Sequence, residues 1–286
     1  MKTSGLFTTH SYRIPIHYNQ PFRLVFFGDI HRDSDSHAKR EWQEFLKYAR
    51  PLKNAFFFGV GDYIDSMSTS EREAILHANL HESTTKHLED VASSTVSVLA
   101  KELAFMKGRL IGLLNGNHFA IYPNGVNSDQ RLAEKLECKY LGVSSFVRLS
   151  LNTAGRVHTL DLWAHHGKGA GRLLGGSINR VDQMREHADA DIYVMGDDHA
   201  RFAVPANPRM ELHSSSKAGL QVIQKQQFLV RSGSFLNSYE DGCVNYNVDA
   251  ARGPRSIGHV ELIITPKIGR RNGNTTPVNI EIRGLS

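Results

Sequence analysis

An aspartate and a histidine two residues apart, Asp29 and His31, follow directly on the apolar run Leu24 to Phe27. At that spacing, behind a buried strand, a carboxylate and an imidazole can reach one metal ion, and imidazole is the commonest metal ligand. The pair alone is a weak signal, but four further stretches repeat it. The run NAFFFG (54–59) leads into Gly61-Asp62-Tyr63-Ile64-Asp65, and Arg109 to Leu114 leads into Asn115-Gly116-Asn117-His118. Arg156 to Trp163 ends in His165-His166-Gly167, and Asp191 to Met195 ends in Gly196-Asp197-Asp198-His199. Carboxylates, imidazoles and one neutral amide are the donors that a pair of divalent ions needs. A carboxylate such as Asp62 can bridge both ions, while imidazoles complete each shell without excess negative charge. Two ions about 3.5–4 Å apart can hold a phosphoryl oxygen and bring the pKa of a bound water towards ~7. His166 is the better donor of its pair, because a glycine follows it and His165 points to the opposite face of its strand.

The elements that must position these groups alternate. Strands are expected at 23–27, 54–59 and 109–114, with a short entering strand or extended arm at 11–20 before them. Amphipathic helices are expected at 37–50, 87–107 and 128–137. Pro51 stops the first of them. The segment 66–85 reads as a polar loop with a helical piece. From Ser145 the texture changes to paired strands, 146–151 and 156–163, around Asn152-Thr153-Ala154-Gly155. A glycine-rich loop (167–176), a helix (178–187) and a buried strand (191–195) follow. The tail is strand-like around Met210, Val222 and Leu229, then at 259–264 and 278–282 either side of the basic turn 269–274. The order βαβαβα, ββ, αβ and a β-rich tail predicts an α/β layered domain whose functional loops gather at strand C-termini. A single domain over 1–286 is expected, with the motifs in a core of about 22–204. Residues 205–286 then complete the second sheet or cap the cleft.

Composition narrows the setting. The chain has 286 residues, 40% hydrophobic and 22% charged, which is ordinary for a globular protein. It has no run of about 18 apolar residues, which excludes a spanning helix, and its first residues lack the apolar core of a signal peptide. Two cysteines, Cys138 and Cys243, fit a reduced, cytoplasmic protein better than a disulfide framework. A net charge of +5 favours a polyanionic partner only slightly, because no block of Lys/Arg stands out. The 15 histidines are more than packing requires.

In order, Asp-x-His, Gly-Asp-x-x-Asp, Gly-Asn-His, His-Gly and Gly-x-x-His resemble the motifs of the calcineurin-like metallophosphoesterase superfamily. They span Asp29 to His199. The loop HGKGAGRLLGG with ADIYVMGDDH is similar to a bacterial and bacteriophage group of predicted phosphoesterases, some of them repair-type exonucleases. The resemblance implies a four-layer α/β/β/α sandwich of two mixed sheets and two divalent cations, manganese first, with magnesium, zinc, iron or nickel as alternatives. It implies hydrolysis of a phosphoester by a hydroxide bridging the cations, attacking in line without a covalent intermediate. Asp29, His31 and His199 would hold the first cation, Asp62 both, and Asn117 and His166 the second. His118 would lie beside the substrate phosphate, stabilising the transition state or protonating the leaving oxygen, with Asn117 also at the substrate.

Two positions depart from that pattern. Phe119 stands where an acidic residue is usual, and Asp197 where a second-metal histidine is expected. A carboxylate at Asp197 can still ligate and makes that site harder, favouring manganese or magnesium over zinc. The other reading is a weakened or empty second site.

Each remaining polar residue has a plain reading beside the functional one. Asp65 is more often a support or cap than a ligand. His77 and His81, four apart, read as solvated surface without a third ligand. Lys168, Arg172, Arg201 and Arg32 sit within a few residues of proposed ligands and as a group could bind non-bridging phosphates or a nucleic-acid backbone. The expected activity is a phosphodiesterase or nuclease acting on DNA or nucleotides, in a bacterial or phage-infected cell. The alternatives are a phosphomonoesterase and a non-catalytic member that binds a phosphorylated ligand.

Overall fold

The computed structural model describes residues 7–78, 80–153, 156–169, 173–215, 219–239, 248, 253–271 and 274–285. Arg172, Ala154, Gly155 and residues 272–273 of the basic turn lie outside the described residues.

Two six-stranded mixed sheets carry the architecture. The first runs through β14 (Asn274–Leu285), β13 (Val260–Arg271), β2 (Phe22–Phe27), β3 (Ala55–Gly59), β4 (Leu110–Leu113) and β5 (Lys139–Tyr140). Strands β2 to β5 are parallel, and β13 is antiparallel to β2 and β14. The second runs through β1 (Phe7–Pro15), β6 (Ser144–Thr153), β7 (Arg156–His165), β8 (Ile192–Met195), β12 (Phe228–Ser232) and β9 (Arg201–Pro205). In it β7, β8 and β12 are parallel and β9 is an antiparallel edge. Strands β10 (Arg209–Ser215) and β11 (Gly219–Lys225) form a separate two-stranded sheet.

Strand periodicity explains the layering. Along β2, Leu24 and Phe26 face the space between the sheets, while Val25 and Phe27 face the helices. Phe58 and Phe57 divide in the same way on β3. A strand buried on both faces reads as an unbroken apolar run, which is how these two appear in the sequence. The inter-sheet core joins Leu24, Phe26 and Phe58 to Leu149, Leu162 and Val194 of the second sheet. Helices α1 (Lys39–Ala49), α3 (Glu82–Glu102) and α4 (Ser128–Lys135) cover the outer face of the first sheet through Trp42, Phe45, Val96, Leu99 and Leu132. Helix α5 (Leu174–Asp182) covers the second through Val181, packed on Tyr193 and Leu229. The result is a four-layer α/β/β/α arrangement.

Several boundaries differ from the sequence expectation. Of the entering strand or arm expected at 11–20, the strand is what forms, but earlier, as β1, seated on β6 with Phe7 opposite Ser144. Segment 66–85 contains α2 (Thr69–His77), fixed by a capping box between Ser68 and Glu71, and the start of α3. Helix α3 begins at Glu82 rather than His87, because its first turns are exposed and carry no apolar period to read; His81 caps it. It ends at Glu102, where Ala104–Met106 tighten into a 3-10 turn. Helix α5 starts at Leu174 despite Gly175 and Gly176 in its first turn, a composition that disfavours helix. The short strands β5 and β9 are additions to the expected order. Among the described residues no helix is long and apolar enough to cross a membrane.

Candidate functional site

All five ligand-bearing turns lie just past the C-terminal ends of parallel strands from both sheets: β2, β3, β4, β7 and β8. The turns are bonded to one another. Asp29 N–H donates to the Gly61 carbonyl (2.9 Å), and Ile30 and His31 N–H donate to the Asp62 carbonyl (2.7 and 3.1 Å). Gly196 N–H donates to the His166 carbonyl at 2.8 Å.

The backbone there is strained. Asp29, His31, Asp62, Asp197 and His199 have φ of 47°, 44°, 50°, 68° and 59°. Non-glycine residues in the left-handed region cost free energy and persist where surrounding structure over-determines them, most often at functional sites. Gly116 is required by close approach: a Cβ there would fall 2.0 Å from Asp62 Oδ1.

Asp62 is buried at the centre. Its Oδ1 accepts from Asn117 N–H (2.7 Å) and His118 N–H (2.9 Å), so the carboxylate cannot rotate freely. Its Oδ2 is thereby placed between two imidazoles, 3.7 Å from His31 Nε2 and 3.3 Å from His166 Nε2. Each imidazole is anchored through its other nitrogen. His166 Nδ1 is 2.7 Å from the Val60 carbonyl, and His31 Nδ1 is 3.0 Å from Asp65 Oδ1. Such bonds fix the tautomer and aim Nε2 at a cation. His199 Nε2 lies 3.8 Å from Asp29 Oδ1. Donor atoms of Asp29, His31 and His199 come within 4.8 Å of one another, as do those of Asp29, Asp62 and His166.

Asn117 and Asp197 close the opposite side. Asn117 Nδ2 donates to Asp197 Oδ1 at 2.5 Å, and Gly169 N–H donates to Asp197 Oδ2. Asp197 Oδ1 is also 3.7 Å from His166 Nε2. His118 stands at the rim, its side chain 30% exposed, with Nδ1 2.8 Å from Asp65 Oδ1. Asp65 therefore serves His31 and His118 with a single oxygen.

Charge is concentrated accordingly. Burial works against the imidazolium of His166, but the charge of Asp62, 3.3 Å away, outweighs it and pushes the group up to about 10. Burial likewise opposes charge on His31, and the Asp65 hydrogen bond with the Asp62, Asp65 and Asp29 charges raises it to about 9. Asp62 and Asp65 are held well below the carboxylate range: burial opposes this, and the neighbouring imidazoles prevail. Asp29 is driven upward, chiefly by burial and then by the Asp62 and Asp197 charges.

The residues fit a pair of cations. His31 Nε2, His166 Nε2 and Asn117 Oδ1 are buried with no hydrogen-bond partner, which is costly for polar atoms unless something positive meets them. Protons raised onto the imidazoles supply part of the positive charge the carboxylates attract.

The cationic residues near the ligands are placed differently. Lys168 is exposed beside the Gly169 contact to Asp197. The Arg201 guanidinium donates to the Ile257 carbonyl, and Arg32 is paired with Glu102 at 3.0 Å. His77 ends α2 and His81 caps α3, both exposed.

Three supporting residues escape sequence reading. Buried Asp129 accepts from Gly116 N–H at 2.8 Å, and burial pushes its carboxyl up to about 7. Arg231 is fully buried, donating to the Gly196 carbonyl at 2.6 Å with Asp198 Oδ1 at 3.3 Å, so it supports the turn bearing Asp197. A lone arginine inside the apolar run FLVRS is the signal that could have marked it. Arg72 contacts the Asn117–Phe119 backbone.

No protein-family model and no curated protein matches the chain. Among solved structures, it is similar to Chaetomium thermophilum Vps29, with 11% identity, 92% of this chain and 97% of that one covered, and a TM-score of 0.36. It is similar to the calcineurin-like phosphoesterase YfkN from Bacillus subtilis, with 11% identity, 93% and 90% covered, and a TM-score of 0.35. Haemophilus influenzae NAD nucleotidase NadN gives 9% identity, 93% of this chain against 50% of that one, and a TM-score of 0.38. The chain thus spans about half the length of NadN. Likenesses this distant add nothing to the strand order and side-chain geometry described above.

Proposed function

We propose that this chain is a calcineurin-like metallophosphoesterase, a hydrolase that cleaves phosphoester bonds with two divalent cations. One observation carries the reading: Asp62 Oδ2 lies between two anchored imidazoles while its Oδ1 is pinned by backbone N–H groups. That is the arrangement of a carboxylate shared by two sites. Asp29, His31 and His199 would hold the first cation and Asn117 and His166 the second, with Asp62 common to both. Asp197 adds charge to the second, as a ligand or through Asn117. When bound, such a pair supplies Lewis acidity towards a phosphoryl oxygen and a water of lowered pKa.

The chain's own residues complete the chemistry. His118 has Nδ1 against Asp65, so Nε2 is the atom available to hand a proton to the leaving oxygen. Asp65 orients the ring through that contact. Asn117 orients a bound phosphate from the other side, and Lys168 and Arg201 are the candidates for non-bridging oxygens, a role the sequence also offers to Arg172, which is outside the described residues. The oxygen-rich donor set favours manganese or magnesium. We place the substrate among phosphodiesters, nucleotides or nucleic acid first, in keeping with the net charge of +5.

The test is manganese-dependent hydrolysis of bis-p-nitrophenyl phosphate against p-nitrophenyl phosphate, with H118A as control. Faster turnover of the diester supports the reading, and faster turnover of the monoester makes the protein a phosphatase. Absence of turnover on both, with any divalent cation, points to a ligand-binding protein instead.

A further inference from the structure

The loop carrying Asn117 and His118 lies between β4 and α4 and is gripped from two sides. Its N–H groups meet oxygens: Gly116 donates to Asp129, Asn117 and His118 to Asp62, and Ala120 to Ser128 Oγ. Its carbonyls meet one guanidinium. Arg72 Nη1 donates to the Asn117 carbonyl at 2.9 Å and to the Phe119 carbonyl at 3.2 Å. The same nitrogen donates to the Met67 carbonyl at 2.6 Å, and the guanidinium carbon lies 3.8 Å from the centre of the Phe119 ring. Arg72 sits in the first turn of α2, directly behind the Ser68–Glu71 capping box, so its own backbone is fixed. Met67 follows the Asp62–Asp65 turn in sequence, so one side chain ties two ligand-bearing loops together.

We propose that Arg72 is a positioning residue. By holding the Asn117 and Phe119 carbonyls and stacking on the Phe119 ring, it sets the backbone that aims the Asn117 amide oxygen and the His118 ring. The claim rests on the two-cation reading only for its functional consequence. The guanidinium is suited to this role by shape: its planar face stacks on the Phe119 ring while Nη1 reaches the carbonyls, a combination that a tetrahedral ammonium group does not reproduce.

The test uses the full chain with R72A and R72K. Manganese binding to chelator-treated protein is followed by calorimetry, and amide hydrogen exchange is followed without metal. In R72A the weaker of two cations should bind roughly 10–100-fold less tightly, the size of effect typical for a partner behind a metal ligand, while the tighter stays within about twofold. Lysine should fail to restore it, and added guanidinium ion should restore it in R72A. Amide exchange should quicken in segment 115–121 and nowhere in the sheets. Unchanged cation binding and exchange in R72A would overturn the proposal, as would full restoration by lysine. Should wild type bind fewer than two cations, the two-cation reading fails by itself and exchange alone decides the role of Arg72. Quickening confined to 115–121 upholds it, and unchanged or chain-wide quickening sinks it. Should R72A not fold, R72K carries the same comparisons.

Discussion

Asn117 Nδ2 donates to Asp197 Oδ1 at 2.5 Å, and that bond dictates which end of the amide faces the buried cluster. The amide nitrogen is committed to Asp197, so the oxygen is left to the cluster, where it has no hydrogen-bond partner. On the proposed reading, Asp197 would act on the second cation through this amide even without touching it. Substitution by alanine should release the amide and weaken the second cation at least about tenfold. The D197H variant should retain two cations, because an imidazole supplies a ligand of its own. Titration of manganese into each variant reads this directly, and unaltered binding in D197A would remove Asp197 from the site.

His118 and Asp65 form a pair whose loss should separate binding from chemistry. H118A should reduce kcat by about 100- to 10,000-fold, the range for a general acid, and leave both cations bound. D65N removes charge behind His31 and His118 together, so it should weaken the first cation and lower kcat. Cation binding and steady-state rates measured on the same preparations check both outcomes.

Cation affinity should rise with pH. In metal-free protein His31 and His166 hold protons to about 9 and about 10, and a ligating imidazole must be neutral. Binding at pH 7 therefore expels protons, and affinity should strengthen as pH is raised towards 9. Calorimetry in buffers of different ionisation enthalpy counts the protons. An affinity that falls over this range would contradict the assignment.

Asp129 gives a stability prediction away from the cations. Its folded carboxyl is raised to about 7 by burial, above the ordinary unfolded value near ~3.9. Between those values the folded state binds more protons than the unfolded state, so this group lowers stability as pH rises from about 4 to about 7. D129N can still accept from Gly116 N–H but carries no charge. Its melting temperature relative to wild type should climb as pH goes from 5 to 8, and a gap that stays flat would show that Asp129 is ionised throughout.

The ligand-bearing turns are legible because each follows an apolar run, and a strand buried on both faces leaves an unbroken signature, as Val25 to Phe27 and Phe57 to Phe58 do. The layered α/β class follows from the same runs. What is illegible depends on long-range contact. Arg72, Asp129 and Arg231 act through backbone atoms of distant turns, and nothing local distinguishes Arg72 from a surface arginine. The start of α3 is hidden because Glu82 to Lys86 are exposed and aperiodic. Strands β5 and β9 are short sheet edges defined by their neighbours. The tie between Asn117 and Asp197 spans 80 residues and exists only in the folded chain.

The proposal that two cations share Asp62 is open to direct measurement. Equilibrium dialysis of the full chain against manganese, followed by metal analysis, measures it. Two ions per wild-type chain are expected, with loss of tight binding at both positions in D62A. One ion or none in wild type, or two retained in D62A, would contradict it.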